Sequence, residues 1–339
     1  MAVTIRDIAE RLNVSKSTVS YALSGGSTKV SPEVRAKVVA VAAELGFHPN
    51  QTAQSLARRR TRMIGFVPHD MHGDVFNSPF VQSALHSIFA AAHQHEMHVL
   101  LPAGYDPLRS EETQAHLFSA PVDGIILLLS DDIRLLKDLR ARKVPLMGIA
   151  GGGEGFTACI SADNYGGATE AFEYLYGLGH RKIGVLSHSG SIDTRIRLQA
   201  YTDSMNRYRL PIRSEWMAES GFMIQGGFDR GMEMLSLSDR PTAVMCVNDH
   251  AACGLMRAAY TLGIRIPQEL SVIGFDDDPL GQSSIFPLTT VRQPVSEMAK
   301  MAFYGVLDQL DNKEVLSKVL PTTLILRATT QHPMKECNS

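Results

Sequence analysis

From Met63 onward, short apolar runs alternate with amphipathic stretches, and that alternation admits few folds. Met63 to Val67, Val99 to Leu101, Gly124 to Leu129 and Leu146 to Ile149 read as buried strands. Helical periodicity fills the gaps near Val81 to Gln94, Ser110 to Phe118 and Ile133 to Ala141. A second series starts at about Asp163. It has a helix to Leu178, strand Ile183 to Leu186, a helix through Arg197 to Tyr208 and a helix Gln225 to Leu235. Strand Ala243 to Val247, helix Asp249 to Leu262 and strand Ser271 to Phe275 complete it. Strands joined by helices form parallel sheets with crossover connections, so two doubly wound α/β lobes are expected. Such lobes hold a ligand at the carboxyl ends of their strands, in the cleft between them.

The N-terminal segment is of another kind. Residues 4 to 23, TIRDIAERLNVSKSTVSYAL, place two short helices across a three-residue turn. Thr4 caps the first, with Asp7 in the capping-box position. Ile8, Ala9 and Leu12 form its apolar stripe, and Asn13 tolerates the left-handed conformation of a tight helix end. Ser15 caps the second helix, which buries Val19, Ala22 and Leu23 and leaves Lys16, Ser17, Ser20 and Tyr21 outside. That polar set suits base edges and phosphates. Ser31-Pro32-Glu33 starts a third helix, with Val34, Val38, Val41, Ala42 and Leu45 inward and Gly46 at its end. Phe47-His48-Pro49-Asn50 then breaks the chain before a segment, Gln51 to Ala57, too short to be a stable helix alone. An ordinary helical hairpin is the plainer reading of this head.

Charge separates the two parts. Residues 1 to 62 hold ten Lys and Arg against four Asp and Glu, while the 339-residue chain carries −2, so the remainder stands near −8. A basic head on an acidic body directs the head to phosphates, and the run Arg58-Arg59-Arg60-Thr61-Arg62 doubles as linker and phosphate contact. No run approaches a membrane span and the N-terminus does not read as a signal peptide, so a cytoplasmic protein without membrane partners is expected. The four cysteines, Cys159, Cys246, Cys253 and Cys337, lack metal-like spacing and read as free thiols.

The blocks TIRDIAERLNVSKSTVS, VSPEVRAKVVAVAAELGFHPN and QTAQSLARR together resemble the DNA-binding head of LacI/GalR-family transcription regulators. The resemblance continues through SADNYGGATEAFEYLYGLGHRKIGVLS, PTAVMCVNDHAACGLMRAAYTLGIRIPQELSVIGFDD and PLTTVRQP, so it spans essentially the whole chain. It implies a helix-turn-helix (all-α) head plus an α/β two-lobed body like periplasmic sugar-binding proteins. The implied parts are a head at 1–49, a hinge helix and linker at 50–62, a first lobe at 63–161 plus 293–322, and a second at 162–292 plus 323–339. The chain would cross between lobes near Ala162, Arg292 and Thr323. DNA contacts implied are Thr4, Ser15, Lys16, Ser17, Thr18, Ser20 and Tyr21 in the head, with Asn50, Ala53, Leu56 and Ala57 in a hinge that orders on operator DNA. Leu56 matches the leucine that wedges between base pairs from the minor groove. Tyr21 departs from the family's common arginine; it cannot make the bidentate guanine contact, so the half-site is expected to differ there. A second departure is an apparent insertion, HDMHGDVFNSPF, beside the cleft.

The effector contacts implied are Phe80, Asp163, Asp193, Arg197, Phe222, Asn248, Asp276 and Gln293. Arg197 offers a fixed fork of donors, Asn248 a donor and an acceptor, and Asp276 an acceptor at a strand end. Phe222 matches an aromatic that packs on the ligand's apolar face. Asp193 stands where relatives often have a small hydroxyl residue, and an extra acceptor favours a polyol. A strand-end cap or an interlobe hydrogen bond is the plainer role for each polar member. Of Asp276-Asp277-Asp278, only the first is expected to face the cleft.

Other features have plain readings. His93-Gln94-His95-Glu96-Met97-His98 straddles a helix end, where His-x-His side chains diverge, so no metal is expected. Gly151-Gly152-Gly153-Glu154-Gly155 lacks the Lys-Ser/Thr ending of a phosphate loop. No catalytic constellation, cofactor fingerprint or enzymatic role is expected. The resulting expectation is a homodimeric repressor of a pseudo-palindromic DNA operator, controlled by a mono- or disaccharide in the cleft. Its first lobe would carry much of the dimer contact, and the absence of leucine heptads at the C-terminus favours a dimer over a tetramer. Three alternatives stay open: a nucleoside or purine corepressor on the same scaffold, a sugar-binding protein for transport, and an α/β enzyme using the cleft.

Overall fold

A computed structural model describes residues 3–23, 29–47, 60–68, 78–101, 122–128, 133–151, 158–282 and 287–334. Two compact units divide the chain, Met1–Thr61 and Arg62–Ser339. The expected hinge positions Asn50, Ala53, Leu56 and Ala57, most of the insertion, the helix near Ser110 to Phe118 and Cys337 lie outside the described residues.

Among the described residues the head holds three helices: α1 (Ile5–Leu12), α2 (Lys16–Leu23) and α3 (Pro32–Glu44). Asp7 accepts from both the backbone N–H (2.7 Å) and the hydroxyl (2.9 Å) of Thr4, fixing the start of α1. Asn13 ends it at φ 51°, ψ 46°, and Ser15 Oγ accepts from the Thr18 backbone N–H at 3.0 Å to start α2. A left-handed residue followed by a cap is what turns the chain sharply enough to set α2 against α1. Ile8, Ala9, Val19, Ala22, Val38 and Ala42 close the small core, with Leu12, Leu23, Val34, Val41 and Leu45 packed around it. Arg35 donates to the Ala22 carbonyl at 3.0 Å, tying α3 to the end of α2.

Among the described residues the body holds two six-stranded sheets. The first contains β1 (Met63–Pro68), β2 (His98–Leu100), β3 (Gly124–Leu128), β4 (Leu146–Ile149), β5 (Ala158–Ala162) and β11 (Lys318–Leu320), in the order β11-β5-β4-β3-β1-β2 and all parallel. The second contains β6 (Ile183–Ser187), β7 (Met217–Glu219), β8 (Ala243–Cys246), β9 (Ser271–Asp276), β10 (Thr289–Arg292) and β12 (Thr323–Ile325). Its order is β12-β10-β9-β8-β6-β7, and only β12 runs antiparallel.

Helices α4 (Pro79–Gln94), α5 (Ile133–Ala141) and α11 (Val295–Leu310) pack on the first sheet. The second carries α6 (Asn164–Gly177), α7 (Ile192–Arg207), α8 (Ile224–Leu235) and α9 (Asp249–Thr261), with short α10 (Pro279–Gln282). The chain passes from sheet to sheet at 162–164, 292–295 and 320–323. Near the second passage, Asp277 is clamped by Arg292 (2.6 Å) and Arg327 (2.5 Å). Burial opposes ionisation there, yet the Arg327 and Arg292 guanidiniums hold Asp277 below the usual carboxylate range.

Several elements differ from the sequence reading. Helix α7 begins at Ile192, not Arg197, because Ser191 Oγ accepts from the Thr194 backbone N–H at 3.3 Å. The edge and short strands β7, β11 and β12 have three residues each, below the length at which alternation is legible. Helix α11 was also unread, although Val295, Met298, Ala299, Ala302, Phe303 and Val306 follow helical spacing and are all buried. His95, from the histidine-rich stretch, packs its ring near Phe303 (5.7 Å) and Tyr304 (5.5 Å).

Candidate functional site: a helix-turn-helix face and an interlobe cleft

In the head, Thr4, Ser15, Lys16, Ser17, Ser20 and Tyr21 are exposed and Thr18 is half-buried. Val19 and Ala22 anchor the opposite side of α2, so Lys16, Ser17, Ser20 and Tyr21 present one outward face. Lys29 Nζ stands 4.9 Å from the Tyr21 ring centroid, adding a cation beside that face. A helix of this kind, with polar and cationic groups on one side, has the dimensions and chemistry for a major groove.

In the body, a cleft of about 660 Å³, including its open mouth, lies where the two sheets' strand ends meet. Phe80 reaches it from the start of α4, Asp193 and Arg197 from the first turns of α7, and Asn248 from the end of β8. Phe222 precedes α8, Asp276 ends β9 and Gln293 follows β10. Seven of the eight expected contact residues therefore converge here. Asp163 does not: its carboxylate caps α6, accepting from the Gly166 backbone N–H at 2.8 Å.

Arg197 is the best-fixed member. Its Nε donates to Asn164 Oδ1 at 2.8 Å and Nη1 to the Val247 carbonyl at 2.7 Å, while the guanidinium lies 3.6 Å from the Phe275 ring centroid. Asp276 stands 3.9 Å from Nη1. Burial lowers the Arg197 pKa, and the Asp276 and Asp193 charges oppose that shift. Asp276 is pushed up to about 6 by burial, against the pull of Arg197 and of Gln293, whose Nε2 donates to Asp276 Oδ1 at 2.6 Å.

Asp193 is buried and accepts from the Gly151 backbone N–H at 3.0 Å. Gly151 follows β4, so this bond joins one lobe to the other across the cleft. Burial raises the Asp193 pKa, with Arg197 and the Gly151 N–H opposing. Asn248 spends both ends of its amide on structure: Oδ1 caps α9 through the Ala251 N–H (2.8 Å) and Nδ2 donates to the Phe222 carbonyl (3.0 Å). The second bond sets the backbone that presents Phe222, whose ring meets His188 edge-on at 4.4 Å.

The acidic run differs from the expectation that only Asp276 faces the cleft. The strand ends at Asp276; Asp276 and Asp277 take φ values of 117° and 61°, and Asp278 also lines the cleft. There it lies 3.3 Å from His250 Nε2. Beneath them Asp249 is buried, accepts from the Asp278 backbone N–H (2.7 Å) and the Thr290 hydroxyl (2.5 Å), and is pushed well above the carboxylate range by burial. Gly274 leaves room for it, since a Cβ there would fall 2.1 Å from Asp249 Oδ1.

The lacI family of bacterial regulatory proteins matches residues 4–50, and a periplasmic binding protein-like domain matches 172–330. The ribose operon repressor of Haemophilus influenzae is 32% identical over 332 residues, covering 96% of this chain and 97% of that protein. The HTH-type transcriptional repressor CytR of Escherichia coli is 31% identical over 339 residues, with 97% of each covered. This chain belongs to the lacI family. Among solved structures, the lac repressor dimer bound to operator and the anti-inducer ONPF superposes with a TM-score of 0.87. It is 27% identical and covers 98% of this chain and 100% of that one.

A lacI-family chain is a DNA-binding transcription regulator, a class of proteins that are not enzymes. In this member the sequence reading missed His250, Asp278, Ser191, Thr194 and Met223 as cleft lining. His250 was the most findable of them, because it lies two residues beyond Asn248 on the first turn of the same helix. Asp278 was less so, because it lies beyond the end of β9, where the strand period no longer applies. Among the described residues no His, Cys, Asp and Glu group is arranged to hold a metal ion, and no helix is long and apolar enough to cross a membrane.

Proposed function

We propose that this protein is a cytoplasmic transcriptional repressor, without catalytic activity, that binds a pseudo-palindromic operator as a homodimer and releases it when a small sugar fills the interlobe cleft. The observation that carries the reading is the convergence of Phe80, Asp193, Arg197, Phe222, Asn248, Asp276 and Gln293 on one cavity between the lobes. Aromatic faces at Phe80 and Phe222 with carboxylate and amide acceptors around them match a ring that is apolar on its faces and hydroxylated at its rim. The named relatives add support, as one is a ribose operon repressor.

One head reads one half-site through Thr4, Ser15, Lys16, Ser17, Thr18, Ser20 and Tyr21, and a two-fold dimer reads both. Asn50, Ala53, Leu56 and Ala57 complete the contact as a hinge at the centre of the operator. Ligand in the cleft favours one arrangement of the lobes over another, a population shift that weakens operator binding by a coupling of about 1–3 kcal/mol, roughly 5- to 150-fold.

The test is a gel-shift titration of the full chain on operator DNA chosen by in vitro selection, repeated with saturating sugar. A retarded complex that sugar weakens by fivefold or more is expected. Failure to retard any selected duplex at low salt rejects the repressor reading. Retardation that no sugar alters, but a nucleoside or purine strengthens, replaces the inducer with a corepressor.

A further inference from the structure

Resting on the sugar-sensing reading above, we infer that the cleft selects an uncharged or amine-bearing polyol and rejects its anionic counterparts, such as uronates and sugar phosphates. The charge already in place decides this. Among the described residues three carboxylates line the cavity, Asp193, Asp276 and Asp278, against one guanidinium, Arg197, and one imidazole, His250.

The one permanent cation among those lining residues is already charge-matched. Arg197 has two of its five N–H donors committed to Asn164 and Val247 and keeps others for ligand hydroxyls, but its charge is matched by Asp276 at 3.9 Å. His250 Nε2 faces Asp278 at 3.3 Å. Asp193 keeps no cation of its own within salt-bridge distance among the described contacts, and its hydrogen bond comes from a neutral backbone N–H. An incoming carboxylate or phosphate would add like charge to a partly buried site where, among the described residues, carboxylates outnumber the guanidinium, an arrangement that disfavours an anionic ligand.

A second observation says what the site lacks. Gln293 is 6% exposed and lines the cleft, yet its Oε1 is buried without a hydrogen-bond partner. Its Nε2 donates to Asp276 Oδ1, which fixes the amide so that the oxygen, not the nitrogen, is left over. A buried acceptor in that condition is costly until a donor reaches it. Asp276 beside it is an acceptor too, so the pair asks for a ligand that supplies O–H or N–H groups. Ring hydroxyls do so, and an ammonium group does so with favourable charge. A deprotonated acid does not.

The experiment is isothermal titration of the full chain at pH 7.5 with D-ribose, D-glucose, D-galactose and cellobiose, and with glucosamine, glucuronate, galacturonate, ribose 5-phosphate and glucose 6-phosphate. At least one neutral sugar is expected to bind, and its uronate or phosphate to bind at least tenfold more weakly, with the amino sugar no weaker than the parent. Asp278→Asn is expected to narrow the neutral-to-anion ratio by about fivefold or more, whereas a purely structural role for Asp278 would weaken both ligands alike. An anionic compound that binds as tightly as its neutral parent overturns the inference and leaves the sugar-sensing reading standing. Binding by none of the panel, with operator affinity unmoved by any of them, overturns that reading itself and the inference with it.

Discussion

Replacing Arg197 with alanine separates what this residue does for the fold from what it does for the ligand. Its guanidinium is held by two short hydrogen bonds, to Asn164 Oδ1 (2.8 Å) and the Val247 carbonyl (2.7 Å), and by Asp276 at 3.9 Å. At an effective dielectric of about 20 the attraction across that last distance is about 4 kcal/mol. Much of it offsets the cost of burying the guanidinium, which alanine no longer incurs. What alanine leaves behind is a carboxylate and two acceptors without their donor, and breaking such a buried pair costs about 3 kcal/mol net. For a body of this size that lowers the melting temperature by about 5–10 °C. The ligand loses a rigid donor fork in the cleft, so the effector response should vanish, while operator affinity without ligand stays within about threefold. Arg197→Lys keeps the charge but not the fork or the stacking on Phe275, and should fall between the two. Differential scanning fluorimetry and gel-shift titration with and without sugar read both effects. A variant that melts like wild type and still responds fully to ligand would refute the assignment of Arg197.

Three further outcomes are expected. Because burial raises Asp276 from 3.8 to about 6, the folded chain holds this proton more tightly than the unfolded chain, so the group favours the fold below about pH 4 and that contribution is lost as pH rises to 6. The stability of wild type relative to Asp276→Asn, from urea melts, should therefore fall between pH 4.5 and 7; a flat or rising difference contradicts the environment described. Tyr21→Arg should shift selection toward guanine at one position of each half-site by roughly 5- to 150-fold, equivalent to about 1–3 kcal/mol, and an unchanged selected sequence would remove Tyr21 from base contact. His180 is buried between Thr242 Oγ1 (2.8 Å), Ser271 Oγ (3.1 Å) and the Gln331 carbonyl (2.9 Å), so His180→Ala should lower the melting temperature by several degrees and expose the segment after Ala328 to protease; equal cleavage rates would show that the imidazole does not hold it.

Local chemistry is what the amino-acid order determined by itself. Thr4 with Asp7, Asn13, Ser15 and Ser31-Pro32 set the helix ends of the head through contacts three or four residues apart, and such contacts need no knowledge of the rest of the chain. The buried strands Met63–Pro68, Gly124–Leu128 and Ser271–Asp276 were legible for a related reason, as continuous apolar runs have few destinations other than a covered parallel sheet. Tertiary structure decided the rest. Three-residue strands at 217, 318 and 323 exist because a neighbouring strand offers hydrogen bonds, not because their own residues prefer extension. Asp163 and Asp276 are both acids at a strand–helix junction, yet one caps a helix and the other faces the cleft, since that choice depends on which elements pack around each. The pairing of Asp193 with Gly151, 42 residues away, follows from how two lobes meet, and the company that Asp278 keeps with His250 from how neighbouring strand ends of one sheet lie side by side, long-range facts that no local pattern encodes.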